Sequence, residues 1–331
     1  MEAKRFLVSG MMVLFLSAAS ICPVSGNSAE KRVDDDAQET GPRTYPAYGG
    51  PRHVVAVLPF ANRVQNIYGG YEIGEGLSEM LITELMRTER FQLIERELIG
   101  NIVQEQELAM TGLTNSEVGP QAGQLSGAQF MIRGAVTEFN DQAGGGGVKL
   151  SYSKAEAGTK SSKAYVGIDV RLVDNATGQI YASYNAHAEA VSRGLSLAAA
   201  ISEFGEDFKF GASHFNNTPI GKATREALGD IVDFIIAESA NIPWQGMLIQ
   251  VTPADAFINR GLNTNLKVGD ALVVYSPGKP LIDPETGFNL GSMETRVCSV
   301  RVRDVRDKFS IAAQEGDCGG RLQRGDIVKF Q

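Results

Sequence analysis

Residues 54–96 read VVAVLPFANRVQNIYGGYEIGEGLSEMLITELMRTERFQLIER, and they predict the order strand, loop, helix, strand. Val54 to Leu58 form a short continuous apolar run, the pattern of a strand buried on both faces, and Pro59 ends it. From Leu77 the apolar residues fall at Leu77, Leu81 and Leu85 and at Met80, Ile82 and Met86, a helical spacing. Phe91, Leu93 and Ile94 return as a second strand. The loop over 61–76 is longer than most strand–helix connections, and loops of that kind carry function or disorder.

Downstream, 97–109 predicts a second helix and 130–139 a strand that runs into Gly144 to Gly147. Residues 163–173 alternate with period two: Ala164, Val166, Ile168, Val170 and Leu172 share one face. Asn175-Ala176-Thr177-Gly178 is a turn, and 179–191 is the partner strand. Thr218-Pro219 starts a long helix with an apolar stripe of Leu228, Ile231, Val232, Ile235 and Ile236. From Gly246 onward short strands alternate with turns, which suggests a small β-barrel or sandwich over 246–331.

The strand–helix–strand stretch resembles the CsgG family, the outer-membrane secretion channels of the curli system. The matching residues are Val57-Leu58-Pro59-Phe60, Leu77 to Leu81, Phe91 to Arg96, and Gly127 to Gly134, continuing to the helix before Trp244. The C-terminal turns around Asn259-Arg260-Gly261 and Lys267 to Asp270 are similar to those of FlgT-like proteins. The fold expected is α+β. A three-layer-type α/β core over 53–245 carries two β-hairpin insertions, about 140–172 and 181–217, and a small all-β domain follows.

In that family the two insertions become membrane hairpins of a shared barrel. A barrel strand needs ~9–11 residues, and both insertions have room for most of two arms. On the second, Leu195, Leu197 and Ala199, then Phe208 and Phe210, would face lipid. On the first, Lys154, Glu156 and Lys160 must face the lumen or sit at the tip, because charge on a lipid face is costly. Four strands from one chain cannot close a barrel, and lipid forbids an open edge. The resemblance therefore implies a homo-oligomeric ring of roughly nine copies. It also implies passage of an unfolded polypeptide such as an adhesin or amyloid-like subunit, with periplasmic or outer-membrane accessory proteins as further partners. Family members narrow their channel in the loop before the first helix, and Asn66, Tyr68 and Tyr71 are the residues this chain offers there, without an equivalent of the family's phenylalanine. The rival reading is a periplasmic scaffold of the FlgT type with both insertions as loops.

The N-terminus reads as an export signal over 1–26: Lys4 and Arg5 precede an apolar core, with small residues at Val24-Ser25-Gly26. Cys22 offers the alternative of lipidation, with Ile21 where a small residue is expected. Residues 27–52 are polar and predict an extended arm or a disordered linker. Cys298 and Cys318 predict a disulfide in an exported protein, with two free thiols as the alternative.

Of 331 residues, 43% are hydrophobic and the formal net charge is −8, which argues against nucleic acid as partner. No apolar run after Ile21 approaches the ~20 residues of a membrane-spanning helix, but barrel strands leave a weaker signal. His53, His187 and His214 stand apart, without the spacing of a metal site. No nucleotide loop or catalytic serine motif occurs, so the expectation is a non-enzyme without cofactor or metal.

Overall fold

The computed structural model describes residues 28–33, 43–64, 72–96, 98–110, 127–142, 162–192, 196–287, 289–316, 318 and 320–331. The first half is built on one mixed sheet. Its strands are β1 (Ser28–Val33), β2 (His53–Val57), β3 (Ala61–Asn62), β4 (Phe91–Ile94), β5 (Phe130–Gln142), β6 (Ser162–Asp174) and β7 (Ile180–Ser192). The order is β1-β7-β6-β5-β2-β4, with β3 alongside β5. Strand β2 runs parallel to β4 and β5, while β5, β6 and β7 form an antiparallel meander. All five residues of β2 are buried, as the apolar run at 54–58 predicts.

Helices α1 (Ile73–Arg87) and α5 (Pro219–Ser239) contact each other and pack on the same face of the sheet. Ile73, Leu77, Leu81 and Leu85 of α1 meet Ile220, Leu228, Ile231 and Ile235 of α5 in a core with Phe130, Ile132, Ile168 and Leu172. Thr218 caps α5 through the Gly221 N–H at 3.0 Å, and Pro219 occupies the first turn. The expectation of three layers is corrected over the meander. Ala164, Val166, Ile168, Val170 and Leu172 point into the core, while Arg133, Thr137, Glu138, Lys163 and Arg171 of the other face are exposed. An antiparallel sheet can leave one face in water, because its side chains alternate.

Helix α2 (Ile99–Met110) leaves Val103 and Leu108 exposed, with Leu98 exposed just before it and Ile102 half-buried. Part of the N-terminal arm is a strand: β1 pairs parallel with the outer edge of β7, Ser28 opposite Asn185 and Val33 opposite Ala190. There the open edge of β7 supplies the backbone partners that a strand needs.

After Pro243, strands β8 (Gln245–Val251), β9 (Asp255–Ile258), β10 (Ala271–Ile282), β11 (Asn289–Val305), β12 (Ser310–Glu315) and β13 (Ile327–Phe330) close a six-stranded barrel. Trp244, Leu248, Ile258, Leu272, Val274, Val300, Val302 and Val328 fill it. Of the two β expectations, barrel or sandwich, the chain adopts the barrel. Cys298 on β11 is bonded to Cys318 beyond β12, with Cα atoms 5.4 Å apart. Within the described residues no helix is long and apolar enough to cross a membrane, which says nothing of membrane strands.

Candidate functional site

The meander places the roots of both insertions at one end of the sheet. Its last register pairs are Gln142 with Lys163 and Ser162 with Ser192. The segment between β5 and β6, 143–161, therefore leaves and returns between neighbouring strands, and the chain after β7 leaves from the strand beside them. Residues 143–161 lie outside the described residues, as do Asn66, Tyr68, Tyr71, Leu195 and Cys22.

Of the second insertion, expected over about 181–217, residues 181–192 belong to β7, and from Ser196 the chain is largely helical. Helix α3 (Leu197–Phe204) is followed by a tight turn at Gly205–Asp207 and by α4 (Ser213–Asn216). The Ser196 hydroxyl accepts from the Ala199 N–H at 3.3 Å. Asp141, near the end of β5, accepts from the Leu197 N–H and so ties the root of the first insertion to the start of α3. Burial raises the Asp141 carboxyl above its ordinary 3.8, and the Leu197 bond opposes the shift. At this end Glu189 is buried, with the Lys163 ammonium 3.6 Å away.

Leu197 and Ala199, expected to face lipid from a strand, are helical in the single chain. Both lie on α3, where Leu197 and Ala200 are buried, Ala199 is half-buried and Ala198 is exposed. Alanine favours helix over strand, Ser196 is a good cap, and Leu197, Ala200 and Ile201 share one helical face. Phe208 and Phe210 do not form a lipid face either. Phe208 is buried and meets Phe215 edge-on at 6.2 Å, while Phe210 meets Phe215 at 5.0 Å. Two helical glycines make room for this nest. A Cβ on Gly76 of α1 would stand 2.3 Å from the Phe210 ring, and one on Gly221 of α5 would stand 2.0 Å from the Phe215 carbonyl oxygen. His214 stacks on Phe204 at 4.7 Å, and its Nε2 accepts the Lys209 N–H at 3.0 Å, which puts the neutral ring's proton on Nδ1.

Beside the nest, a cleft of about 520 Å³ opens between α1 and α5, with Met80, Glu84, Phe210, Arg225 and Asp230 among its walls. Arg43 closes one side, its guanidinium bonded to Glu226, Asp230 and Asp233. Tyr45 lies next to it, its hydroxyl pushed up to about 12 by burial and then by the Asp233 charge. Arg43 was not legible as a site residue. The available signal was the acidic spacing of Glu226, Asp230 and Asp233 on one face of α5, which calls for a cation but does not say which. Another buried group is His53, whose Nδ1 lies 3.1 Å from Gln129 Oε1; burial lowers its pKa and the Gln129 bond opposes this. No group of histidine, cysteine and carboxylate side chains suited to a metal occurs among the described residues.

Residues 49–261, which hold most of this sheet and its helices, are matched by a family model, Curli production assembly/transport component CsgG. The chain belongs to the CsgG family. The match runs from just before β2 through β8 and β9 of the barrel. The CsgG proteins of Salmonella typhimurium and Escherichia coli K12 are each 24% identical over 117 residues, 34% of this chain and 42% of theirs. The alignment thus spans less than half the length of those CsgG proteins. A Neisseria meningitidis serogroup B protein named as a lipoprotein is 27% identical over 204 residues, 60% of this chain and 81% of its own. Among solved structures, a hypothetical protein from Chlamydia trachomatis is 17% identical, covers 57% of this chain and 99% of its own, and superposes with a TM-score of 0.35. The family and the lipoprotein relative point to a protein associated with the Gram-negative envelope, of a family described as assembly and transport components.

Proposed function

We propose that this CsgG-family chain forms an oligomeric outer-membrane channel that exports or anchors an adhesin or curli-like subunit. The observation that carries the reading is the shared exit of both insertions from the end of β5, β6 and β7. A sheet that already pairs its strands up to that end is a base from which longer hairpins continue. One chain cannot close such a barrel in lipid, so the channel is a ring of copies. In the single chain Leu197 and Ala200 lie in the core and Phe210 and Phe215 rest against α1 and α5, so 196–217 joins a barrel only by leaving that bed. The loop containing Asn66, Tyr68 and Tyr71, which follows β3 in the sequence, is the constriction candidate. Passage is diffusive and independent of ATP; the cargo is an unfolded polypeptide, and accessory envelope proteins present it.

Purification from outer membranes in detergent, electron microscopy of the particles and conductance in planar bilayers test the proposal together. Rings with a lumen and stepwise conductance are expected. A monomer released without detergent and silent in bilayers overturns the channel and leaves a periplasmic scaffold.

A further inference from the structure

We infer that residues 43–52 are a clasp that locks the C-terminal barrel onto the core, so that the seating of the barrel is coupled to the N-terminal end of the chain. This inference is independent of the channel reading.

One end of the clasp is Arg43. Its Nη2 donates to Glu226 at 2.9 Å and Asp230 at 2.6 Å, and Nη1 donates to Asp233 at 2.5 Å. The seat is built for it: a Cβ on Gly229, in the middle of α5, would stand 2.5 Å from Arg43 Nε. A glycine in a helix interior is otherwise unfavourable. The other end is held from both halves of the molecule. From the barrel, Lys267 Nζ donates to the Gly49 carbonyl at 2.9 Å and Asn265 Nδ2 to the Gly50 carbonyl at 2.7 Å. The Arg52 N–H donates to the Thr264 carbonyl at 2.8 Å, and the Arg52 Nε to the Glu89 carbonyl at 2.9 Å. Between the ends, the Tyr48 ring lies 4.6 Å beneath the Arg90 guanidinium and its hydroxyl donates to the Pro51 carbonyl at 3.0 Å.

The backbone carries a second sign. Among the described residues, the non-glycine positions with positive φ are Glu89 at 57° and Asn265 at 59°. They lie in different halves of the chain, and both bond this strap. Left-handed backbone is sparsely populated outside glycine and persists where its surroundings hold it. Here one such residue presents a carbonyl to Arg52 and the other presents its amide to Gly50. A short segment anchored on α5, braced by Tyr48 and gripped by the 264–267 loop transmits a change at either end to the other.

Hydrogen exchange of the full chain, read by mass spectrometry, tests the coupling. Arg43→Ala is expected to speed exchange of the 49–52 and 262–267 amides by ~10-fold or more, with the buried amides of α5 unchanged. Arg43→Lys keeps the charge but cannot bridge three carboxylates, and falls between. Coupling is reciprocal, so Asn265→Gly, which suits the left-handed backbone but lacks the amide, should speed exchange at 43–48. Unchanged rates at 262–267 in Arg43→Ala, with faster exchange confined to 43–48, overturn the clasp. So does an Asn265→Gly variant whose 43–48 rates match the parent. If Arg43→Ala fails to fold, the Arg43→Lys and Asn265→Gly variants decide by the same rates.

Discussion

Strand β6 and helix α3 both carry alternating apolar residues, yet only one is a strand. In β6 the alternating positions are mostly β-branched or large: Val166, Ile168, Val170 and Leu172. They have partners on both sides, β5 and β7, so period two is confirmed by pairing as well as by burial. In 195–201 the alternation of Leu195, Leu197, Ala199 and Ile201 coexists with a helical spacing of Leu197, Ala200 and Ile201. Alanines fill the gaps, and Ser196 stands at the cap. An alanine-rich stretch satisfies both periods, and the surface it lands on decides between them. Here Leu197 and Ala200 find that surface in the core, with Asp141 of β5 bonded at the start of α3.

Substitutions on α3 separate the two periods most sharply. Ala198 and Ala200 would share a face in a strand, but on α3 the first is exposed and the second buried. Ala200→Arg should cost ~4 kcal/mol or more by burying an unpaired charge, and Ala198→Arg less than ~0.5 kcal/mol. Urea unfolding of the purified chain measures both; equal effects would return the segment to a strand. Gly76→Ala comes next. Overpacking against Phe210 costs ~1–3 kcal/mol, against a gain of ~1 kcal/mol in helix propensity. A double-mutant cycle with Phe210→Ala should show strong coupling, and additive effects would mean that Phe210 does not rest on Gly76.

The cap from β5 is a smaller effect. Asp141→Ala should lose ~1 kcal/mol, whereas Asp141→Asn keeps an accepting oxygen and removes a buried charge. The raised carboxyl of Asp141 favours its protonated form in the fold, so Asn should be neutral or stabilising at pH 7. A thermal shift that ranks Asn with Ala would remove the capping account. The smallest effect lies at the opposite end of the comparison, in the turn between β6 and β7. Burial of the Asp174 carboxyl works to raise its pKa, but bonds from Tyr181 at 2.5 Å and the Thr177 and Ala176 N–H groups outweigh it, and the net shift is below 3.8. Its contribution is present above pH 3.8 and is lost as pH falls through the lower folded value. Asp174→Asn should flatten that part of the acid unfolding curve, and an unchanged curve would show that the turn does not report there.

Much of the core was legible because its signals were redundant. The run at 54–58, the spacing from Leu77 to Leu85 and the return at 91–94 agree with one another and with the buried surfaces they form. The Thr218-Pro219 start of α5 combines a side-chain cap with a preset backbone angle. The pairing of β1 with β7 was not legible, since a six-residue stretch with only Ala29 and Val33 apolar gains a place only from the unpaired edge it meets. The Arg43 seat was hidden for a related reason: its partners lie on a helix nearly two hundred positions away.

By itself, the sequence determined the order of strand and helix in the core, the period of β6, the turn at Asn175–Gly178 and the membership of a family. Those depend on local propensity and on hydrophobic period, which are written along the chain. Tertiary structure alone decided that 197–204 is helical, that Phe208 and Phe210 turn inward, and that the last six strands close on themselves. Each of these compares two locally acceptable conformations, and the choice rests on which one finds a complementary surface elsewhere in the chain.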